Sequence, residues 1–318
     1  DGGQRIILPT GSAVQSVADW AKKLDSGRHL AGGRINHYQA LYGEYVYISS
    51  DLTKAYNTPD HDEGGRGGKV REVKRDLLYL ANEDRVLIHD RIVSTDASYT
   101  KKWLLHSVNQ PRVENAQVLK GALSNGISET RESVAHIQNE SGHLRVDRLY
   151  PDDARIRLVG GSDYQFYVES DGDDTTLDGD NFSAGASLHP WFDVGLWRIE
   201  IQPGAPRIED EFLVALSPSL DKPRSDAPKP LLIKGATAKG VETEKNIVVF
   251  IKASAHGEFE VTMSGNIQTQ RKLYVFGIPV GMQVQITSSS EKQTATVNSE
   301  GVLTVPVLTR VSQVAVKW

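Results

Sequence analysis

The stretch from Val73 to Val93 reads VKRDLLYLANEDRVLIHDRIV. Two apolar runs, Asp76–Leu80 and Arg85–Val93, flank the polar segment Ala81–Asp84, which combines asparagine with aspartate. Asn and Asp favour tight turns because their side chains hydrogen-bond the local backbone, while β-branched and aromatic residues suit paired strands. The stretch therefore predicts a β-hairpin, and it makes strands the organising element of the chain.

Similar short runs recur along the rest of the chain, separated by Gly, Asn and Pro. Closely spaced strands with such turns are typical of β-sandwiches, so we expect an all-β fold built on a large antiparallel β-sandwich with few helices. The further predicted strands are Tyr45–Ile48, Tyr164–Val168, Leu196–Ile201, Glu211–Leu216, Asn246–Lys252, Phe259–Met263, Lys272–Phe276, Gln283–Thr287, Gln293–Val297, Val302–Val307 and Gln313–Trp318.

Two other segments indicate how the chain is divided. Ala13–Leu24 has the pattern of a helix, and Ser217–Pro230 contains four of the 13 prolines without an apolar run, as is typical of a linker. We therefore expect a large β-sandwich over residues 1–222, a linker over 223–230 and a smaller C-terminal β-sheet unit over 231–318.

The composition excludes several classes of protein. The 318 residues have a net charge of −5, which argues against a general nucleic-acid-binding protein, because such proteins normally have a basic excess. The chain has no cysteine, so disulfides and thiolate metal sites are excluded. No apolar run approaches the roughly 20 residues that a membrane-spanning helix needs. A globular protein without a membrane span or a nucleic-acid partner is expected.

The stretch Lys101–Ser107, KKWLLHS, is a candidate site because a histidine ends an apolar run that begins with two lysines. Strand alternation places Lys102 and His106 on one face, and Lys101 and Trp103 on the other. One interpretation is a buried strand with a hydrogen-bonded histidine. The other is a histidine that faces a cleft, where it binds a carboxylate or relays a proton.

The sequence identifies no metal ligand and no cofactor. None of the nine histidines forms an HxH or HxxxH pair. The acidic run Glu169–Asp180 lacks the glycine and glutamate spacing of an EF-hand, so a solvated loop is the better interpretation. The run Gly64–Gly68 is not followed by Lys-Ser or Lys-Thr, which argues against a phosphate-binding loop.

A set of segments spread over most of the chain forms a recognisable pattern. The segments are Gly43–Tyr56 (GEYVYISSDLTKAY), Val73–Val93, Lys101–Ser107 with Asn109–Pro111, Leu149–Pro151 with Ala154 and Gly160–Gly161, Trp197–Glu200 ahead of Pro203, Glu209–Phe212, Phe276–Gly281 and Ser299–Leu303. Read together, they resemble the C-terminal half of the heparinase II/III-like polysaccharide lyases.

The resemblance implies a β-sandwich of the supersandwich type, which in the family follows an N-terminal α/α toroid. Family members cleave uronic-acid polysaccharides by β-elimination. A base removes the C5 proton, a neutralised carboxylate stabilises the enolate-like intermediate, and an acid protonates the leaving oxygen. The family's catalytic residues come mainly from the toroid. Its ligands for a divalent metal such as zinc lie in early sandwich strands, one of them just before a stretch like DGGQ.

The resulting expectation is the detached sandwich portion of a longer lyase. Because the chain starts at DGGQ, we expect it to lack the toroid, to be inactive alone, and to offer no position for the family's catalytic residues or metal ligands. The parent would be periplasmic or secreted, with an anionic polysaccharide and the toroid as partners. His106 is the candidate catalytic residue. Charge-assisted contacts to sugar carboxylates or sulfates are expected from Lys101, Lys102, Arg71, Lys74 and Arg75.

Two other functions fit the same sequence. A non-catalytic carbohydrate-binding module would expose an aromatic platform, with Trp103, Trp191 and Trp197 as its candidate residues. A purely structural β-sandwich would instead expose a large apolar patch on one sheet face, where a helical partner packs.

Overall fold

The computed structural model describes residues 16–25, 33–57, 68–169, 177–182, 195–235, 238–252, 257–262, 271–288, 291–307 and 313–318. Within these stretches the secondary structure is almost entirely β. The two helices are α1 (Val17–Asp25) and α2 (Thr53–Tyr56). The strands are β1 (Arg34–Leu41), β2 (Tyr45–Asp51), β3 (Val70–Leu80), β4 (Arg85–Ser94), β5 (Trp103–Ser107), β6 (Gln117–Ala122), β7 (Asn125–Thr130), β8 (Val134–Asn139), β9 (Gly142–Tyr150), β10 (Arg155–Gly160), β11 (Tyr167–Glu169), β12 (Gly179–Asn181), β13 (Trp197–Gln202), β14 (Glu209–Leu220), β15 (Lys229–Pro230), β16 (Leu232–Gly235), β17 (Ala238–Glu242), β18 (Asn246–Ile251), β19 (Glu258–Thr262), β20 (Arg271–Phe276), β21 (Gln283–Ser288), β22 (Glu291–Thr296), β23 (Val302–Val307) and β24 (Gln313–Lys317).

The hairpin predicted at residues 73–93 is present as β3 and β4. Their antiparallel register joins Leu80 to Arg85 and Leu77 to Ile88, so the turn lies where the asparagine and aspartate indicate. Asp84 in that turn has a φ of 49°, a left-handed conformation in which aspartate is enriched. The all-β prediction is confirmed.

The strands assemble into four sheets of five or more strands. The large sheet has the order β1-β2-β3-β4-β14-β9-β8, and the facing sheet has the order β5-β13-β10-β7-β6. Two C-terminal sheets follow, β15-β17-β18-β20-β23 and β16-β19-β24-β21-β22, and β11 pairs with β12 alone. The pairs are antiparallel except for β18 with β20, which run parallel.

Three differences from the sequence predictions have local causes. The strand expected at Tyr164–Val168 lies at Tyr167–Glu169, because residues 162–166 form a turn. Ser217–Leu220, expected in the linker, continues β14 by pairing with β9, so backbone pairing outweighs the polar composition. The helix expected at Ala13–Leu24 runs from Val17 to Asp25, and residues 13–15 lie outside the described stretches.

The large sheet is buried on both faces. One face packs against the facing sheet through a core in which Phe212 and Val214 meet Trp103, Ile156 and other residues of that sheet. The opposite face packs against the C-terminal sheets through a second core that includes Tyr45, Tyr47, Leu78, Phe250 and Phe276. Apolar burial on both faces, at about 25 cal/mol per Å², holds the C-terminal strands against the large sheet.

Polar contacts also join the region 223–230 to the hairpin turn. The buried Arg85 donates to Asp226 Oδ2 at 2.7 Å, and Arg224 donates to the same carboxylate at 2.5 Å. Glu83 accepts a hydrogen bond from Thr243 at 2.6 Å. These contacts fix the approach of the chain to β15, while the division at residues 222 and 231 stays a prediction.

No helix in the described stretches is both long enough and apolar enough to cross a membrane.

Candidate functional site

Arg71 and Arg75, two predicted substrate-binding residues, both lie on β3. The register shifts between Val70 and Glu72, so Arg71 lies at a bulge and strand alternation does not assign it to the face of Arg75. Arg75 donates Nε and Nη2 to the two oxygens of Asp90 on β4, at 2.7 and 2.6 Å. The hydrogen bond and the charge of Asp90 raise the pKa of Arg75. Its side chain keeps 43% of its exposure, and Arg71 is exposed. We call these two arginines the β3 arginine pair.

Lys74 lies on the opposite face of β3 from Arg75. Its Nζ is 3.4 Å from Glu72 Oε2, and both residues line a cavity between the large sheet and the C-terminal sheets. The structure therefore separates Lys74 from Arg75.

Lys101 is buried at the start of β5. Its Nζ lies 3.1 Å from Asp210 Oδ2 and donates to the backbone oxygen of Arg207 at 2.5 Å. A buried lysine needs such a partner because a lone buried charge is strongly unfavourable. The geometry links the edge of the facing sheet to β14, and a role for Lys101 in substrate binding stays a prediction.

Lys102 belongs to a group of charged side chains on the outer face of the facing sheet. Its Nζ lies 2.5 Å from Glu169 Oε2 and 3.2 Å from Glu200 Oε2. Arg157 pairs with Glu169 at 3.0 Å, and Arg198 pairs with Glu200 at 2.6 Å. We call this group the facing-sheet network; its members are Lys102, Glu129, Arg155, Arg157, Glu169, Arg198 and Glu200.

Glu200 is the most enclosed acid of the network. Burial alone would raise the pKa of its carboxyl, but the charges of Arg198 and Lys102 outweigh that effect and hold the pKa below its ordinary value. Gln202 adds a hydrogen bond to Glu200 at 3.0 Å. Its neighbours therefore hold Glu200 as a carboxylate, and the network joins four basic side chains to three acidic ones.

His106 is exposed on β5, directly opposite Arg198 on β13. Partial burial of the ring and the charge of Arg198 lower the pKa of His106. A neutral imidazole is able to accept a proton, but no hydrogen bond from a described residue orients the ring of His106. Its catalytic role stays a prediction.

The cavity that includes Lys74 contains a second histidine, His89 on β4. The cavity has a volume of about 500 Å³ and lies between the polar face of β2, β3 and β4 and the segment Phe276–Val280. His89 and Asp76 are cross-strand partners in the hairpin. We call this space the His89 cavity.

His89 is held on two sides. Its Nδ1 lies 3.3 Å from Asp76 Oδ2, and its ring stacks on Phe250 at 4.9 Å with an interplanar angle of 13°. Burial alone would raise the pKa of Asp76, but hydrogen bonds from His89, Ser49 and Tyr47 outweigh it and lower the pKa. Because an ionised carboxylate only accepts, the Nδ1 atom carries the proton.

Tyr47 completes a chain of hydrogen bonds that ends at the imidazole. Its hydroxyl donates to Asp76 Oδ1 at 2.9 Å. Burial and the nearby charge of Asp76 raise the pKa of Tyr47 far above its ordinary value, so the phenol stays protonated and remains a donor. Tyr47, Asp76 and His89 therefore have fixed donor and acceptor roles.

Two of the three tryptophans expected to form an exposed aromatic platform are buried. Trp103 and Trp197 are buried in the core between the large and facing sheets. Their inward position follows strand alternation on β5 and β13, and it removes them from contact with a glycan. Trp191 lies outside the described residues, as do the run Gly64–Gly68 and most of the acidic run after Glu169.

No metal centre is formed in the described part of the chain, where no three His, Asp or Glu side chains come together to hold a metal ion.

His89 and Asp76 were not singled out from the sequence. The signal lay in the hairpin register. Pairing Leu80 with Arg85 across the turn also pairs Asp76 with His89, and places both on the apolar face that contains Leu78. Two polar groups opposite each other on an apolar face indicate a buried, hydrogen-bonded pair.

No protein-family model matches this chain, and no curated protein matches its sequence. In fold, the chain is similar to the crystal structure of the heparan sulfate lyase HepC from Pedobacter heparinus, at 13% identity and a TM-score of 0.32, over 66% of this chain and 26% of that one. It is also similar to the crystal structure of heparinase III, at 7% identity and a TM-score of 0.38, over 86% of this chain and 27% of that one. The chain is similar in structure to part of these lyases. It spans about a quarter of their length.

Proposed function

We propose that this chain is the β-sandwich portion of a polysaccharide lyase that acts by β-elimination on an anionic polysaccharide containing uronic acid. The proposal includes a periplasmic or secreted location and a helical toroid that brings the catalytic base and acid. The sandwich then forms one wall of the substrate cleft and contributes charge-assisted contacts.

The positions of the segments that resemble the lyase family support this proposal. Gly43–Tyr56 supplies β2 and α2, next to the hairpin 73–93 in the large sheet. Lys101–Ser107 and Trp197–Glu200 supply β5 and β13, which are neighbours in the facing sheet. Motifs that are far apart in sequence therefore become neighbours within two sheets of the sandwich.

The observation that carries the proposal is the β3 arginine pair. Asp90 uses only Nε and one Nη2 hydrogen of Arg75, so the guanidinium, with five N–H donors, keeps donors for a further acceptor. A guanidinium fixed in this way recognises a carboxylate or sulfate with directional hydrogen bonds. Arg71 is exposed at the bulge four residues before Arg75.

Binding of anionic polysaccharides tests this wall. Heparan sulfate, hyaluronan and alginate are titrated into the chain by calorimetry, and Arg71→Gln is compared with the control Lys317→Gln, whose lysine is 70% exposed on β24. We expect Arg71→Gln to weaken the best ligand about five- to tenfold, the loss of one hydrogen bond to a charged group. Equal affinity in both variants would overturn the role of this pair.

The reaction itself is tested on the longer protein that contains this chain. Formation of an unsaturated uronate is followed by its ultraviolet absorbance on the same three polysaccharides. Product is expected from the protein with its toroid and not from the sandwich alone. Absence of product from the longer protein on every substrate would overturn the lyase proposal, and activity of the sandwich alone would overturn the location of the catalysts.

A further inference from the structure

The two walls of the His89 cavity differ in chemistry. The large sheet provides a polar wall that includes Ser49, Asp76, His89 and Glu211, and the facing wall is the apolar segment Phe276–Val280. A pocket with one hydrogen-bonding wall and one apolar wall suits a ligand that is itself polar at its edge and apolar on a face. Its volume of about 500 Å³ lies within the usual range of roughly 300–1,000 Å³ for small-molecule sites.

The polar wall contains a buried atom without a partner. The side chain of His89 is 6% exposed, and its Nε2 forms no hydrogen bond with any described residue. In the neutral imidazole with its proton on Nδ1, facing Asp76, Nε2 offers a lone pair. Leaving such a group unsatisfied costs about 1–3 kcal/mol, so a ligand that donates a hydrogen bond to Nε2 recovers that free energy.

A second acceptor lies beside the first. Glu211 Oε1 is 4.0 Å from His89 Nε2, too far for a hydrogen bond between them. Two neighbouring hydroxyl groups on one ring can reach both acceptors at once. An ionised carboxylate beside a lone-pair nitrogen selects for donors and against another anion.

The cations near the two acceptors of the polar wall have carboxylate partners. Lys74 pairs with Glu72, and Arg91 pairs with Glu72 and with Glu209, whose Oε1 accepts from Nε at 2.7 Å. Lys239 lies 3.8 Å from Glu211 Oε2, and Lys252 lines the cavity on the side of the apolar segment. The polar wall therefore presents no arginine without a carboxylate partner to a uronate or a sulfate. Its chemistry favours a neutral ligand with several hydroxyl groups.

Gly277 shapes the apolar wall at its closest approach to β18. It has a φ of 100°, and a Cβ there would collide with the backbone oxygen of Ile251. Glycine is the residue that tolerates both conditions, so the segment Phe276–Val280 is positioned by its own sequence.

We propose that the His89 cavity binds one residue of a neutral saccharide. His89 Nε2 and the Glu211 carboxylate accept hydrogen bonds from neighbouring hydroxyls, and the C–H face of the ring lies on Ile278 and Pro279. The cavity is on the opposite face of β3 from Arg75, so its occupancy does not depend on the lyase proposal.

Titrations with small sugars test the site. Cellobiose and chitobiose serve as neutral probes, and D-glucuronate serves as the anionic probe. Affinity is measured by ligand-observed NMR for the wild type, His89→Asn, Glu211→Gln and the control His143→Asn, which changes a histidine on β9. Asn at position 89 keeps a donor for Asp76 and removes the Nε2 acceptor, and circular dichroism checks the fold of each variant.

We expect at least one neutral disaccharide to bind the wild type and His143→Asn equally, with about tenfold weaker binding in His89→Asn and Glu211→Gln. D-glucuronate is expected to bind more weakly than the neutral probe. If His89→Asn fails to fold, Glu211→Gln and the shift of the wild-type His89 ring decide the question. Absence of binding by both neutral probes, unchanged affinity in Glu211→Gln, or tighter binding of glucuronate would each overturn the proposal.

Discussion

The facing-sheet network and the His89 cavity both place charged or titratable side chains where little water reaches them. The two regions differ in how many of the polar atoms of these side chains have partners. In the network, the carboxylate of Glu200 is 2% exposed and lies within 3.2 Å of both Lys102 and Arg198. In the cavity, His89 is similarly enclosed, yet only its Nδ1 has a partner.

This difference separates scaffold from site. A buried charge that is surrounded by partners has no free hydrogen-bonding position for a ligand. Removing one partner leaves the others without a charge to pair with. A buried group with an acceptor that forms no hydrogen bond lowers the stability of the folded chain. A ligand that donates to this acceptor removes that loss of stability. Charge alone therefore does not locate a site, and a role for Lys102 in substrate binding stays a prediction.

The largest expected effect comes from the network. Glu200→Gln removes the charge of the buried carboxylate that Lys102 and Arg198 share, and the side chains of these two residues are 22% and 14% exposed. We expect a loss of about 3–5 kcal/mol in the free energy of unfolding, measured by urea denaturation.

Glu258→Gln is the matched control for that variant. Glu258 pairs with Lys317 at 3.7 Å, and both side chains are at least 70% exposed, so the change should stay within about 0.5 kcal/mol. Equal losses in the two variants would erase the distinction between the network and an ordinary surface pair.

Acidification is expected to remove the difference between wild type and Glu200→Gln. The pKa of Glu200 is lowered in the folded chain from its ordinary 4.5. Its contribution to stability is therefore complete above that ordinary value and is lost as the pH falls through the folded pKa. Urea midpoints measured at successive pH values should converge below pH 4.5; a gap that widens on acidification would contradict the assigned ionisation of Glu200.

A smaller loss in the free energy of unfolding is expected from substitutions in the His89 cavity. Asp76→Asn removes the charge that accepts from Tyr47 and His89, which should lower the free energy of unfolding by about 1–3 kcal/mol. Tyr47→Phe removes only one of these hydrogen bonds and should cost about 1 kcal/mol. The same denaturation series measures both variants, and a loss in Asp76→Asn as large as that in Glu200→Gln would make the cavity part of the scaffold.

Much of the fold could be predicted because its signals are local. Alternating apolar residues and the turn at residues 81–84 determine the hairpin, and its register then pairs Asp76 with His89. That pair was within reach of sequence reasoning. The lysines and the histidine of KKWLLHS are the more conspicuous feature of the sequence.

The partners that decide each role could not be predicted in the same way. Lys102 meets Glu169 and Glu200 only when strands distant in sequence come together. The apolar wall opposite His89 comes from residues 276–280, nearly two hundred positions further along the chain. Such contacts depend on the order of strands in the sheets, which no short motif contains.

The central claim is that the His89 cavity, and not the paired charges around Lys102, is the site for a neutral ligand in this part of the chain. The most direct test follows the ring resonances of His89 and His106 by NMR in the wild-type chain during a cellobiose or chitobiose titration. The account predicts a saturable shift of the His89 resonances with those of His106 unchanged. A shift confined to His106, or no shift of His89 with either sugar, would contradict it.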